Sequence, residues 1–197
     1  MLNSKSLKQI KTVVAAVLLL LMLIFLIWVN VSEIKKGNAT NRTVAGSTFR
    51  NVTYFNDFSL KTFEGDDFSN KDFEGYDVIV VNVWEPWCTS CLKEMPELDE
   101  IAAEYKDKGL LLVELQGMAY DDPDDVQLGY DEIGDLEVTL TQLLADEKFS
   151  EEVLPYLNNS FPGTFVLDPD GNILDFTASS KSKADWMKYF DGFLPQE

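Results

Sequence analysis

The feature that most constrains this chain is a junction. Val78 to Trp84 (VIVVNVW) is a nearly continuous β-branched run, and WEPWCTSC follows with no gap. Such a run reads as a strand buried on both faces. The chain then turns through Glu85-Pro86-Trp87, and a helix is expected from about Cys88 to Tyr105. Leu98, Ile101, Ala102 and Tyr105 supply its apolar stripe. Pro96 falls inside that helix and Gly109 ends it. A C-x-x-C pair is therefore placed where a buried strand hands over to a helix.

Downstream, Leu110 to Leu115 (LLLVEL) reads as a second buried strand. Residues 119 to 135 are acidic and read as irregular, with a short helix after Pro123. A short strand is expected over Val138 to Leu140 and a helix over Asp146 to Leu157. Thr164–Leu167 and Ile173–Thr177 flank Asp168-Pro169-Asp170-Gly171-Asn172, the pattern of a β-hairpin. Trp186, Met187, Phe190, Phe193 and Leu194 recur at helical spacing over 182–194. Upstream, Tyr54 to Phe63 with the turn Glu64-Gly65-Asp66 reads as another hairpin. The order is α/β with a mixed sheet.

The N-terminal part is of a different kind. Val13 to Val29 carries no polar residue, and with its edges it nearly crosses a hydrocarbon layer of about 30 Å. Lys5, Lys8 and Lys11 precede it, and all 34 acidic residues lie at or beyond Glu33. The three lysines on the near side, against Lys35 and Lys36 beyond the run, predict a cytoplasmic N-terminus (1–12), one transmembrane anchor (13–31) and an external domain. Residues 32–52 are polar and Gly/Ser/Thr/Asn-rich and read as a flexible stalk, leaving 53–197 as the domain.

Composition removes several functions. The net charge of −18 is unsuited to nucleic acid. The chain has two cysteines and no histidine. A four-ligand zinc site and any histidine-based nucleophile machine are therefore out of reach. Leu92 after Cys91 excludes covalent haem attachment by C-x-x-C-H. The peroxiredoxin pattern P-x-x-x-T/S-x-x-C is not met. Redox exchange or a bare structural disulfide is left. A disulfide closing so small a loop adds little to stability, which favours redox chemistry. At a helix start, N–H groups and the dipole favour an anion, so the Cys88 thiol is expected to ionise readily. The thiolate is the attacking species in exchange. Cys91, one turn on and more buried, is expected to resolve the mixed disulfide.

VVNVWEPWCTSCLKEMPEL (80–98) and SFPGTFVLDPDGNIL (160–174) together resemble the TlpA/ResA-like branch of the thioredoxin superfamily. The resemblance runs from about Phe58 to the C-terminus. It implies a thioredoxin-like fold with an N-terminal β-hairpin extension and a central insertion, here preceded by one transmembrane helix. It implies a cis peptide bond at Phe161-Pro162, a loop packed on the cysteine pair and pairing with an extended substrate segment beside Trp87. Gly163 stands between Pro162 and Thr164 where the branch has Thr or Ser directly, which predicts a looser loop. Asn82 holds the position of the buried aspartate of cytoplasmic thioredoxins. Glu94 matches a glutamate of ResA-like members and could take the proton of the resolving thiol, if burial raises its pKa. Glu85 is expected to be solvated or structural. If close to Cys88, its charge would oppose the thiolate. The resemblance further implies reduction of disulfides in exported proteins, apocytochrome c among them. Electrons would come from a membrane thiol–disulfide transporter of the CcdA/DsbD kind, with no cofactor beyond the Cys88–Cys91 disulfide. An oxidant that inserts disulfides and a non-catalytic binding module are the rival readings.

Overall fold

The computed structural model describes Met22, Phe49 and residues 51–195. The expected N-terminal segment and anchor lie outside the described residues, Met22 apart. Among the described residues no helix is long and apolar enough to cross a membrane. Phe49 and residues 51–195 fall in one unit, Val44–Glu197.

Seven strands form one mixed sheet: β1 (Ser59–Thr62), β2 (Asp67–Ser69), β3 (Val78–Trp84), β4 (Leu110–Gln116), β5 (Gln142–Leu144), β6 (Gly163–Leu167) and β7 (Ile173–Thr177). Their order is β2-β1-β5-β4-β3-β6-β7. The parallel pairs are β3 with β4 and β4 with β5; the remaining neighbours are antiparallel. The helices are α1 (Thr89–Tyr105), α2 (Pro123–Leu136), α3 (Glu147–Glu152), α4 (Leu154–Leu157) and α5 (Lys183–Asp191).

β3 is central and wholly buried. Its alternate residues feed two cores. Ile79, Val81 and Val83 join Val113, Leu115 and Phe165 against the aromatic cluster of Tyr54, Phe55, Phe58 and Phe149. Val78 and Val80 join Leu112 and Val166 against Leu98, Ile101 and Tyr105 of α1 and Trp186 and Phe190 of α5. Phe49, from the segment read as stalk, is buried in the first core, with its ring 5.2 Å from that of Phe165. The core therefore reaches upstream of residue 53.

Four local expectations are corrected. The acidic stretch after Pro123 is a full helix, Pro123–Leu136, with Asp124 and Asp125 in its first turn, where the dipole favours them. The strand expected over 138–140 lies at Gln142–Leu144. Asp99 of α1 accepts the N–H and the hydroxyl of Thr139, both at 2.9 Å, which ties that segment to the helix instead of the sheet. The helix expected over 146–157 is two, broken at Val153; Pro155 has no N–H to continue the first. The last helix stops at Asp191, with Gly192 as its C-cap.

Candidate active site

Cys88 is the N-cap of α1, and Cys91 lies in its first turn. The two are joined by a disulfide with Cα atoms 5.3 Å apart. The backbone N–H of Cys91 donates to Cys88 Sγ at 3.3 Å, and the Ser90 hydroxyl lies 3.4 Å from the same sulfur. These are polar groups able to stabilise negative charge on Cys88 once the bond is reduced. Cys88 is 6% exposed and Cys91 is fully buried. Attack from outside therefore meets Cys88 first.

Trp84, Cys88, Cys91 and Met95 form one apolar cluster, and Phe161 packs against it. The Phe161–Pro162 peptide bond is cis. Trp87 is half exposed, meets the Phe161 ring edge-on at 5.6 Å, and donates its indole N–H to Asp125 of α2 at 3.1 Å. Phe161 and Trp87 thus form a wall beside the cysteines. Gly163 is not part of a loose loop. It pairs with Val83 in the sheet. A Cβ there would lie 2.9 Å from a Leu157 methyl and 3.3 Å from the Phe176 ring.

Glu94 lies three residues after Cys91 on the buried side of α1. Its Oε2 accepts the indole N–H of Trp186 and the backbone N–H of Lys181, both at 3.1 Å. Burial pushes its carboxyl above the ordinary range, while these donors and Ser180 pull it back.

Glu85 is not solvated. It is fully buried, and its Oε1 accepts the backbone N–H of Met118 in the loop after β4. Burial pushes its pKa up to about 8. It is protonated at neutral pH and places no anion beside Cys88. Glu114 escaped the sequence reading altogether. The signal was there: one acid inside LLLVEL, a run that is otherwise apolar. It is fully buried beside Asn82.

A cysteine pair at a helix N-terminus, led there by a buried central strand and flanked by a cis-proline loop, defines a thiol–disulfide oxidoreductase of thioredoxin-like fold. Comparison with known proteins agrees. The AhpC/TSA family pattern matches residues 53–176, and the chain belongs to that family. It is 30% identical over 135 residues to the thioredoxin-like protein YneN of Bacillus subtilis, covering 68% of this chain and 75% of that protein. It is 28% identical over 117 residues to the thiol-disulfide oxidoreductase ResA of Bacillus thuringiensis, covering 59% of this chain and 64% of the relative. Among solved structures, a thiol:disulfide interchange protein of Chlorobium tepidum superposes with a TM-score of 0.60 at 20% identity, covering 71% of this chain and 94% of that one. DsbF of Mycobacterium tuberculosis superposes with a TM-score of 0.55 at 24% identity, covering 70% and 95%.

Proposed function

We propose that the chain is a membrane-anchored, extracytoplasmic reductase of disulfides in exported proteins, apocytochrome c among them. The single observation that carries its chemistry is the Cys88 sulfur at the start of α1, receiving the Cys91 N–H at 3.3 Å. The Cys88 thiolate attacks one sulfur of the substrate disulfide. The substrate S–S bond breaks, a mixed disulfide forms, and the other substrate sulfur leaves as a thiolate that takes a proton from solvent. Cys91 then passes its proton to Glu94 and attacks Cys88 Sγ. The Cys88–Cys91 bond forms, and the second substrate sulfur leaves with the electron pair. Phe161, Pro162 and Trp87 hold the substrate segment beside Cys88.

The external location is supported by Lys5, Lys8 and Lys11 preceding the apolar run. With the domain outside, electrons must reach it through the membrane, which suits a donor of the CcdA/DsbD kind. The test is the reduction potential, set by equilibration with thiol buffers. A value of about −250 mV or below supports the reductase, and one near about −120 mV supports the disulfide-forming oxidant. Cys91→Ser should accumulate substrates bound to Cys88 in cells. Cys88→Ser should abolish insulin reduction, and unchanged turnover would make the chain a non-catalytic module.

A further inference from the structure

Beneath α1 the sheet carries a polar row. Gln142 of β5, Glu114 of β4, Asn82 of β3 and Thr164 of β6 stand in register across four neighbouring strands. Each is at most 2% exposed. The row has a direction. Thr164 donates its hydroxyl to Asn82 Oδ1 at 2.8 Å, which turns the Asn82 amide towards Glu114. Asn82 Nδ2 then donates to the two Glu114 oxygens at 3.0 and 3.3 Å. On the other side, Gln142 Nε2 lies 3.9 Å from Sδ of Met95, one turn after Cys91. The row therefore lies under the part of α1 that carries Cys91, Glu94 and Met95.

Among the described residues no ion pair reaches Glu114. The ion pairs among the described residues are Lys61–Asp67, Lys183–Glu100 and Lys183–Glu104, each with at least one solvent-exposed partner. A carboxylate buried this deeply, with only a neutral amide for company, is far less stable than the carboxylic acid. Glu94 and Asp99 of α1 add negative charge nearby and hold the Glu114 pKa up further. Glu94 is placed differently. Trp186, Ser180 and the backbone of Lys181 donate to it, and the Lys181 ammonium acts on it from the segment before α5. Asn82 and Gln142, facing Glu114 from β3 and β5, carry no charge. Burial raises both carboxyls, but these donors and Lys181 hold Glu94 back, whereas Glu114 has only the Asn82 amide and so keeps its proton the more firmly.

We propose that Glu114 is a proton-holding positioning residue for the dithiol, storing one proton behind Glu94 and coupling it to the proton of Cys91. When Cys91 attacks the mixed disulfide, its proton passes to Glu94. The S–S electrons leave on the departing thiolate, and the Glu94–Glu114 pair then holds both protons until one returns to solvent. The inference rests on Cys88–Cys91 exchange, and not on the direction of electron flow or the identity of the substrate.

The test uses the full-length reduced chain and the aryl disulfide dithionitrobenzoate, which releases one coloured thiolate when Cys88 attacks and a second when Cys91 resolves. Both releases are timed across a pH series. In the wild type, Glu114 and Cys91 give up protons in competition, so the alkaline limb of the second release is spread out and shallower than a single ionisation gives. In Glu114→Gln the amide cannot charge. The limb should become single-proton and move down by about one pH unit, about tenfold faster at a fixed pH on that limb. The first release should keep its profile. Superimposable second-release profiles would overturn the proposal. If Glu114→Gln does not fold, the redox-difference infrared spectrum of the wild type decides: the proposal requires a protonated-carboxyl C=O band that shifts on reduction, and no such shift overturns it. Absence of any second release in the wild type would overturn the exchange chemistry, and the proposal with it.

Discussion

Glu85 shows how burial changes what a residue means. Next to Cys88 in sequence it looks like an anion set against a thiolate. In the fold it is a protonated brace on the loop after β4. The sign of its pH effect follows. Its folded pKa of about 8 exceeds the ordinary 4.5, so the unfolded chain gives up the proton first. Its contribution to stability is whole below about pH 4.5 and is lost as pH rises through about 8, on the order of 5 kcal/mol. Glu94 and Glu114, also raised, slope the same way. Urea unfolding across this range should show falling stability, with a shallower slope in Glu85→Gln; parallel curves would refute the assignment. Cys88, Cys91, Pro162 and Glu94 could be picked out from their own motif. The burial of Glu85 could not, because the loop that covers it arrives from another strand about thirty residues later.

At the scale of elements, β3 and α1 were legible because their signals are local: continuous β-branching, then an apolar stripe and a stop at Gly109. α2 was legible only at its start. Its acidic residues and two glycines hid the remaining turns, and what holds them lies elsewhere. Gln116 donates to the Asp125 carbonyl at 2.9 Å, and Gly129 leaves room that a Cβ would take, 2.7 Å from the Gln116 side-chain oxygen. Gly129→Ala should therefore destabilise the protein although alanine is the better helix former. A loss of about 1 kcal/mol or more in chemical unfolding is expected, and a gain would refute the contact. The α3 cap makes a second case. Asp146 Oδ1 accepts the Phe149 N–H at 2.8 Å and the Tyr54 hydroxyl at 2.9 Å. Asp146→Ala removes both and leaves the buried tyrosine hydroxyl without that acceptor, at a cost of about 2 kcal/mol. Equal denaturation midpoints would contradict this.

At the scale of the whole molecule, the charge of −18 acts at a distance. A cationic disulfide peptide should be reduced faster than an anionic one of the same length. The difference should be about tenfold at low ionic strength and shrink as salt is added. Salt-independent rates would show that the field does not reach the site. The strand order was only partly legible. Alternating strands and helices announce an α/β sheet, but the pairing of β1 with β5 depends on contacts far apart in the chain.

The whole arrangement serves one sulfur at the start of α1. Its direct test is the rate of Cys88 alkylation in the reduced full-length chain as a function of pH, read by mass spectrometry. The account predicts a midpoint at least about one unit below the roughly 8.5 of free cysteine. A midpoint at or above that of the free amino acid would contradict it.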